Sequence, residues 1–71
     1  MFNMVVQRQL NLSDRTLVVG IPTFDKIPKK VLIHGEEFKV IGLSGGVKLP
    51  YVSLEIERTE SKLTGERITS K

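Results

Sequence analysis

Two runs of alternating or near-continuous apolar residues, Lys30-Val31-Leu32-Ile33 and Glu36-Glu37-Phe38-Lys39-Val40-Ile41, are reflected about His34-Gly35. A period of two marks strands, and a His-Gly pair between them marks a tight hairpin turn. With a two-residue loop, Ile33 faces Glu36, Val31 faces Phe38 and Lys30 faces Lys39. A four-residue loop instead sets Ile33 opposite Phe38 and Val31 opposite Val40. The two registers differ by an even shift, so Val31, Ile33, Phe38 and Val40 share one face in both.

The remaining chain reads the same way. In residues 2–10, Phe2, Met4 and Val6 fall on one face and Asn3 and Gln7 on the other. Asn11, Ser13 and Asp14 supply turn chemistry, and residues 16–21 form the next strand. Residues 22–28 are closed at each end by proline and read as a connection, in which Phe24 and Ile27 pin the loop over the end of the sheet. Ser44-Gly45-Gly46 is a turn, and Pro50 limits where the next strand begins. Residues 51–58 alternate most cleanly, with Val52, Leu54 and Ile56 inward and Ser53, Glu55 and Glu57 outward.

Together these place Met4, Val6, Leu17, Val19, Ile21, Val31, Ile33, Phe38, Val40, Val52, Leu54 and Ile56 in the core. The expected fold is all-β, a small antiparallel five- or six-stranded barrel or curled sheet. Residues 1–60 form its single domain, and 61–71 are a polar, partly mobile C-terminal tail in which only Leu63 and Ile68 are large and apolar. A short return strand over 66–69 can follow the Thr64-Gly65 turn.

Composition agrees with that class. Alanine is absent while β-branched residues are abundant, which is the composition of strands. The 71 residues hold one modest core. Cysteine is also absent, which removes disulfides and thiolate chemistry and fits a reducing, cytoplasmic setting. No window reaches the length of an apolar membrane span, and the first residues lack the basic-then-apolar order of a signal peptide.

The hairpin resembles one in the second-domain β-barrel of translational GTPases of the elongation-factor-Tu type. The matching residues are Gly35-Glu36-Glu37-Phe38-Lys39-Val40-Ile41-Gly42, and Thr16-Leu17-Val18-Val19-Gly20 resembles the strand that precedes that hairpin in the family. The proline-bounded segment 22–28 lengthens the intervening loop, and Lys29-Lys30 replaces a glycine usual before the hairpin. The resemblance implies a barrel topology and a habit of contacting RNA and protein. It does not extend to a GTP-binding domain, for which the chain has no room.

Catalytic constellations fail on inventory. With one histidine and no cysteine, no nucleophile triad or multi-histidine metal site can be assembled within one chain. His34 reads as a turn residue that tolerates positive φ. Glu36 and Glu37 point to opposite faces, and Glu55 and Glu57 lie on an open strand face with no pocket to shift their pKa values. Ser44-Gly45-Gly46 lacks the Walker spacing and opens no helix. No catalytic residue, metal, cofactor or small-molecule ligand is expected, and the chain reads as a non-enzymatic protein.

Charge raises the one remaining alternative. The net charge is +3, and residues up to Leu54 carry all of it: Arg8, Arg15, Lys26, Lys29, Lys30, Lys39 and Lys48 against Asp14, Asp25, Glu36 and Glu37. Lysines on an exposed strand edge also serve to block pairing with other chains. The expected activity is therefore a binding module acting through protein–protein contacts, with a partner or with its own copies, through Val5, Val18, Leu32 and Ile41. The alternative is an RNA- or ribosome-associated barrel using Lys29, Lys30, Lys39, Lys48 and Tyr51, with Tyr51 as the stacking aromatic.

Overall fold

His34 and Gly35 both adopt positive φ, 54° and 80°, the backbone of a two-residue hairpin loop. Lys30 accordingly lies opposite Lys39, Val31 opposite Phe38, Leu32 opposite Glu37 and Ile33 opposite Glu36. This is the first of the two registers open at the level of sequence. The computed structural model describes residues 1–44, 48 and 50–71; the expected Gly45-Gly46 turn lies outside them.

Among the described residues there is no helix, and seven strands form one antiparallel sheet. They are β1 (Asn3–Val5), β2 (Arg8–Asn11), β3 (Arg15–Gly20), β4 (Lys30–Ile33), β5 (Glu36–Ser44), β6 (Val52–Glu57) and β7 (Arg67–Ser70). Their order is β1-β7-β4-β5-β6-β3-β2. The two edge strands are consecutive in the chain, so the sheet curls until its ends share one corner. At that corner Val6 bonds the β7 side, its N–H to the Glu66 carbonyl at 2.9 Å and its carbonyl to the Gly65 N–H at 2.8 Å. Gln7 then donates to the Val19 carbonyl at 2.7 Å. The expected first strand is thus bent into two, which raises the strand number from the five or six expected.

A bulge in β5 completes the curl. Val40 pairs with Ile56 and Gly42 with Glu55, leaving Ile41 as the extra residue. An inserted residue reverses the in-out parity beyond it and bends the strand. Val40 and Leu43, three apart, consequently both pack against the core, and Ile41 stays outside.

The core consists of Phe2, Met4, Val6, Val18, Val31, Ile33, Phe38, Leu54, Ile56, Leu63 and Ile68, with Val40, Leu43 and Val52 packed at its margin. The hairpin, the first run and β6 therefore bury the faces expected of them. Phe24 touches the core end, its ring centroid 5.6 Å from that of Phe2, but both Phe24 and Ile27 are exposed.

Two expectations are corrected. Strand β3 is turned over: Thr16, Val18 and Gly20 are buried, Leu17 and Val19 are half-buried on the opposite side, and Ile21 is exposed. The cause is close approach. A Cβ at position 20 would lie 2.3 Å from the Val5 carbonyl oxygen and 2.8 Å from Met4 Cγ, so only glycine can face β1 there. Thr16, two turns of the pleat away on the same side, accepts from the Thr59 N–H at 3.0 Å and donates to Asn11 Oδ1 at 3.1 Å.

The second correction concerns residues 61–71, which are part of the domain. Strand β7, close to the expected 66–69 return strand, lies between β1 and β4. Leu63 and Ile68 are in the core. The half-buried Gln9 side chain holds the chain leading to β7, accepting from the Leu63 N–H at 2.7 Å and donating to the Ser61 carbonyl at 2.8 Å.

Two glycines separate crowding from conformation. Gly20→Ala is expected to lower unfolding free energy by about 2–3 kcal/mol, because the clash is with backbone that cannot move aside. Gly35→Ala, with open space around it but φ of 80°, should cost about 1 kcal/mol and Gly35→Asn clearly less. Urea denaturation of the three variants checks both.

Candidate functional surface

Because β3 is turned over, its bulkier residues face outward. On that side Leu17 lies opposite Leu10 of β2 and Glu55 of β6, and Val19 lies opposite Arg8 and Ser53. Leu10 is 56% exposed. Arg8, Leu10, Leu17, Val19, Ser44 and Ser53 line one groove, and Arg8 and Val19 also line the adjoining depression with Gln7, Lys48 and Tyr51. An apolar band thus crosses the outside of a sheet whose inside is already packed.

Polar groups frame that band unequally. At the Arg15 end, Arg15 reaches across to Glu55 and also pairs with Asp14, Nη2 to Oδ2, at 3.1 Å. The Asp14 carboxylate, then Glu55, raises the Arg15 pKa, and Arg15 in turn lowers that of Asp14. At the other end, Arg8 and Lys48 form no ion pair among the described residues. Ser53 is 3% exposed, and its hydroxyl has no hydrogen-bond partner.

The four candidate interface residues are not gathered into one patch. Val18 is fully buried and drops out, because the parity of β3 is the reverse of that expected. Val5 lies opposite Arg67, and Leu32 lies between Glu37 and Thr69, both half-buried among polar neighbours. Ile41 is exposed at the bulge. Charged and polar side chains separate the three.

The basic candidates divide in two. Lys29, Lys30 and Lys39 sit on the β4–β5 hairpin, while Lys48 and Tyr51 sit beyond the far end of β5 with Arg8. Lys39 and the end of β5 are five residues apart, roughly 15 Å along a strand. The close Lys30–Lys39 pair is relieved by Glu37, whose Oε2 is 3.2 Å from Lys30 Nζ and whose Oε1 meets Lys71 Nζ. His34 is an exposed turn residue with Nδ1 3.2 Å from Glu66 Oε1. Among the described residues no group of three metal-ligating side chains is assembled, and no helix is long and apolar enough to cross a membrane.

The expected parity of β3 places Leu17 and Val19 inward and so hides the outer surface they form with Leu10. A signal for it exists: Leu17-Val18-Val19 is apolar at both parities, the pattern of a strand covered on both faces.

Lys71, then Lys30, holds the Glu37 carboxyl below its ordinary value of 4.5. A lowered folded-state pKa contributes stability that is present above pH 4.5 and is lost as the pH falls through the folded value. Glu37→Gln should therefore flatten the acid limb of a stability-versus-pH curve below that point and leave the neutral-to-alkaline limb parallel to wild type. Thermal melts across pH 2–8 provide the measurement.

No family model, curated protein or solved structure matches this chain.

Proposed function

We propose that this chain is a non-enzymatic binding module of the cytoplasm that acts through protein–protein contacts, using the outer face of β2, β3 and β6. What supports this reading is the single fact that β3 is apolar on both sides. Val18 fills the core while Leu17 and Val19, extended by Leu10 of β2, lie across the outside. Burying such a face removes apolar area from water at about 25 cal/mol per Å², and the isolated chain leaves that free energy unused.

The RNA reading has less behind it. Its five residues fall into two separated groups, and Lys30 already shares Glu37. Phosphate attraction grows with the number of cations brought to one tract of backbone, so division weakens it.

The two faces of β3 can be tested separately. Leu17→Lys should keep the fold, with stability within about 1 kcal/mol of wild type, whereas Val18→Lys should unfold the chain. A photo-crosslinking residue in place of Leu10 should yield covalent protein adducts in living cells, and the same residue in place of Leu32 should not. Adducts equally from both positions, adducts to RNA alone, or none from position 10 would defeat the proposal.

A further inference from the structure

We propose that the partner of this outer face is an acidic protein segment, one carboxylate of which is held by Arg8 and Lys48 while an aliphatic side chain two residues away lies on Leu10 and Leu17. The proposal rests on the preceding reading of the face as a protein-contact surface and adds the chemistry of the partner.

The charges that the groove leaves uncompensated carry it. Arg8 lies level with Val19 in the strand register, and Leu10 lies level with Leu17. Arg8 and Val19 line both the groove and the adjoining depression, which Lys48 and Tyr51 also line. The Tyr51 N–H donates to the Lys48 carbonyl at 3.0 Å, closing the turn that carries both residues. No carboxylate lines either hollow, and among the described residues neither cation forms an ion pair. Glu55, level with Leu17, is already engaged by Arg15, which also takes Asp14.

A partner that covers the apolar band also covers Arg8, because the arginine shares the groove with it. A cation taken out of water without an anion is strongly penalised. A neutral or basic partner incurs that penalty, and an acidic one removes it. The guanidinium fork suits a carboxylate, which it can bind through two parallel hydrogen bonds. The net charge of +3 draws the same partner in from a distance.

Spacing narrows the chemistry. Arg8 and Leu10 are both exposed and stand two residues apart on one side of β2, about 7 Å along the strand. An extended segment presents its own side chains to one side at the same repeat. Asp or Glu placed two residues from Leu, Ile or Val therefore matches the cationic depression and the apolar band together. A nucleic acid matches less well, because its phosphates meet only two cations here and its bases meet aliphatic side chains beyond Tyr51.

Selection of a displayed library of random heptapeptides on the full chain tests the proposal. The expected result is enrichment of Asp or Glu two residues from Leu, Ile or Val. Arg8→Glu with Lys48→Glu should weaken a selected peptide about tenfold or more, and the same library selected on that variant should favour Lys or Arg in place of the acid. Both replaced side chains are exposed. Should the reversal fail to fold, Arg8→Gln with Lys48→Gln should abolish the preference for acid without creating one for base.

No enriched peptide, enrichment without acidic residues, binding indifferent to both variants, or an oligouridylate bound more tightly than the peptides through the same two cations would each overturn the proposal. Protein adducts from position 10 without any acid preference at Arg8 would overturn it while leaving the broader binding role standing. Absence of those adducts would defeat both.

Discussion

The passage of β1 across the C-terminal end of β3 leaves no space for a side chain at position 20. With the Val5 carbonyl oxygen 2.3 Å from where a Cβ would stand, the strand must present glycine to the interior. Strand parity then assigns every other residue of β3: Val18 and Thr16 inward, Leu17 and Val19 outward. A single steric contact between two elements therefore decides which side chains build the core and which form the outer apolar band. The proposed role of the molecule follows from that band.

The same crossing closes the sheet. Val6 and Gln7 hand the chain from β7 to β3, so the edge strands are two parts of one segment. Phe2, Met4 and Val6 from the beginning of the chain meet Leu63 and Ile68 from near its end. Gln9 and Thr16 hold the connection between β6 and β7 through backbone bonds that apolar residues could not make. Polar residues facing inward are thus assigned to the ends of the core, where a crossing chain supplies partners for them.

Electrostatics separates the two outer sides. Around β4 and β7, Glu37 draws in both Lys30 and Lys71. Around β3, Arg15 is satisfied at one end of the band while, among the described residues, Arg8 and Lys48 form no ion pair.

The sequence by itself determined the all-β class, the hairpin about His34-Gly35 and the inward faces of β4, β6 and the first half of β5. In β6 and the first half of β5 one parity is apolar and the other polar, so the period of two has a single solution, and the pairing of the hairpin carries that face into β4. In β3 both parities are apolar, and periodicity favoured the bulkier Leu17, Val19 and Ile21 for the interior. Only the tertiary structure could decide otherwise, because the deciding contact is with β1, fifteen residues away along the chain from Val5 to Gly20. The segment 61–71 reads as a tail for a related reason: its two large apolar residues are too few to mark a strand locally, and β7 exists because β1 and β4 offer it two edges. Local pattern settles a face where chemistry is one-sided; where it is not, the fold settles it by what must pass close by.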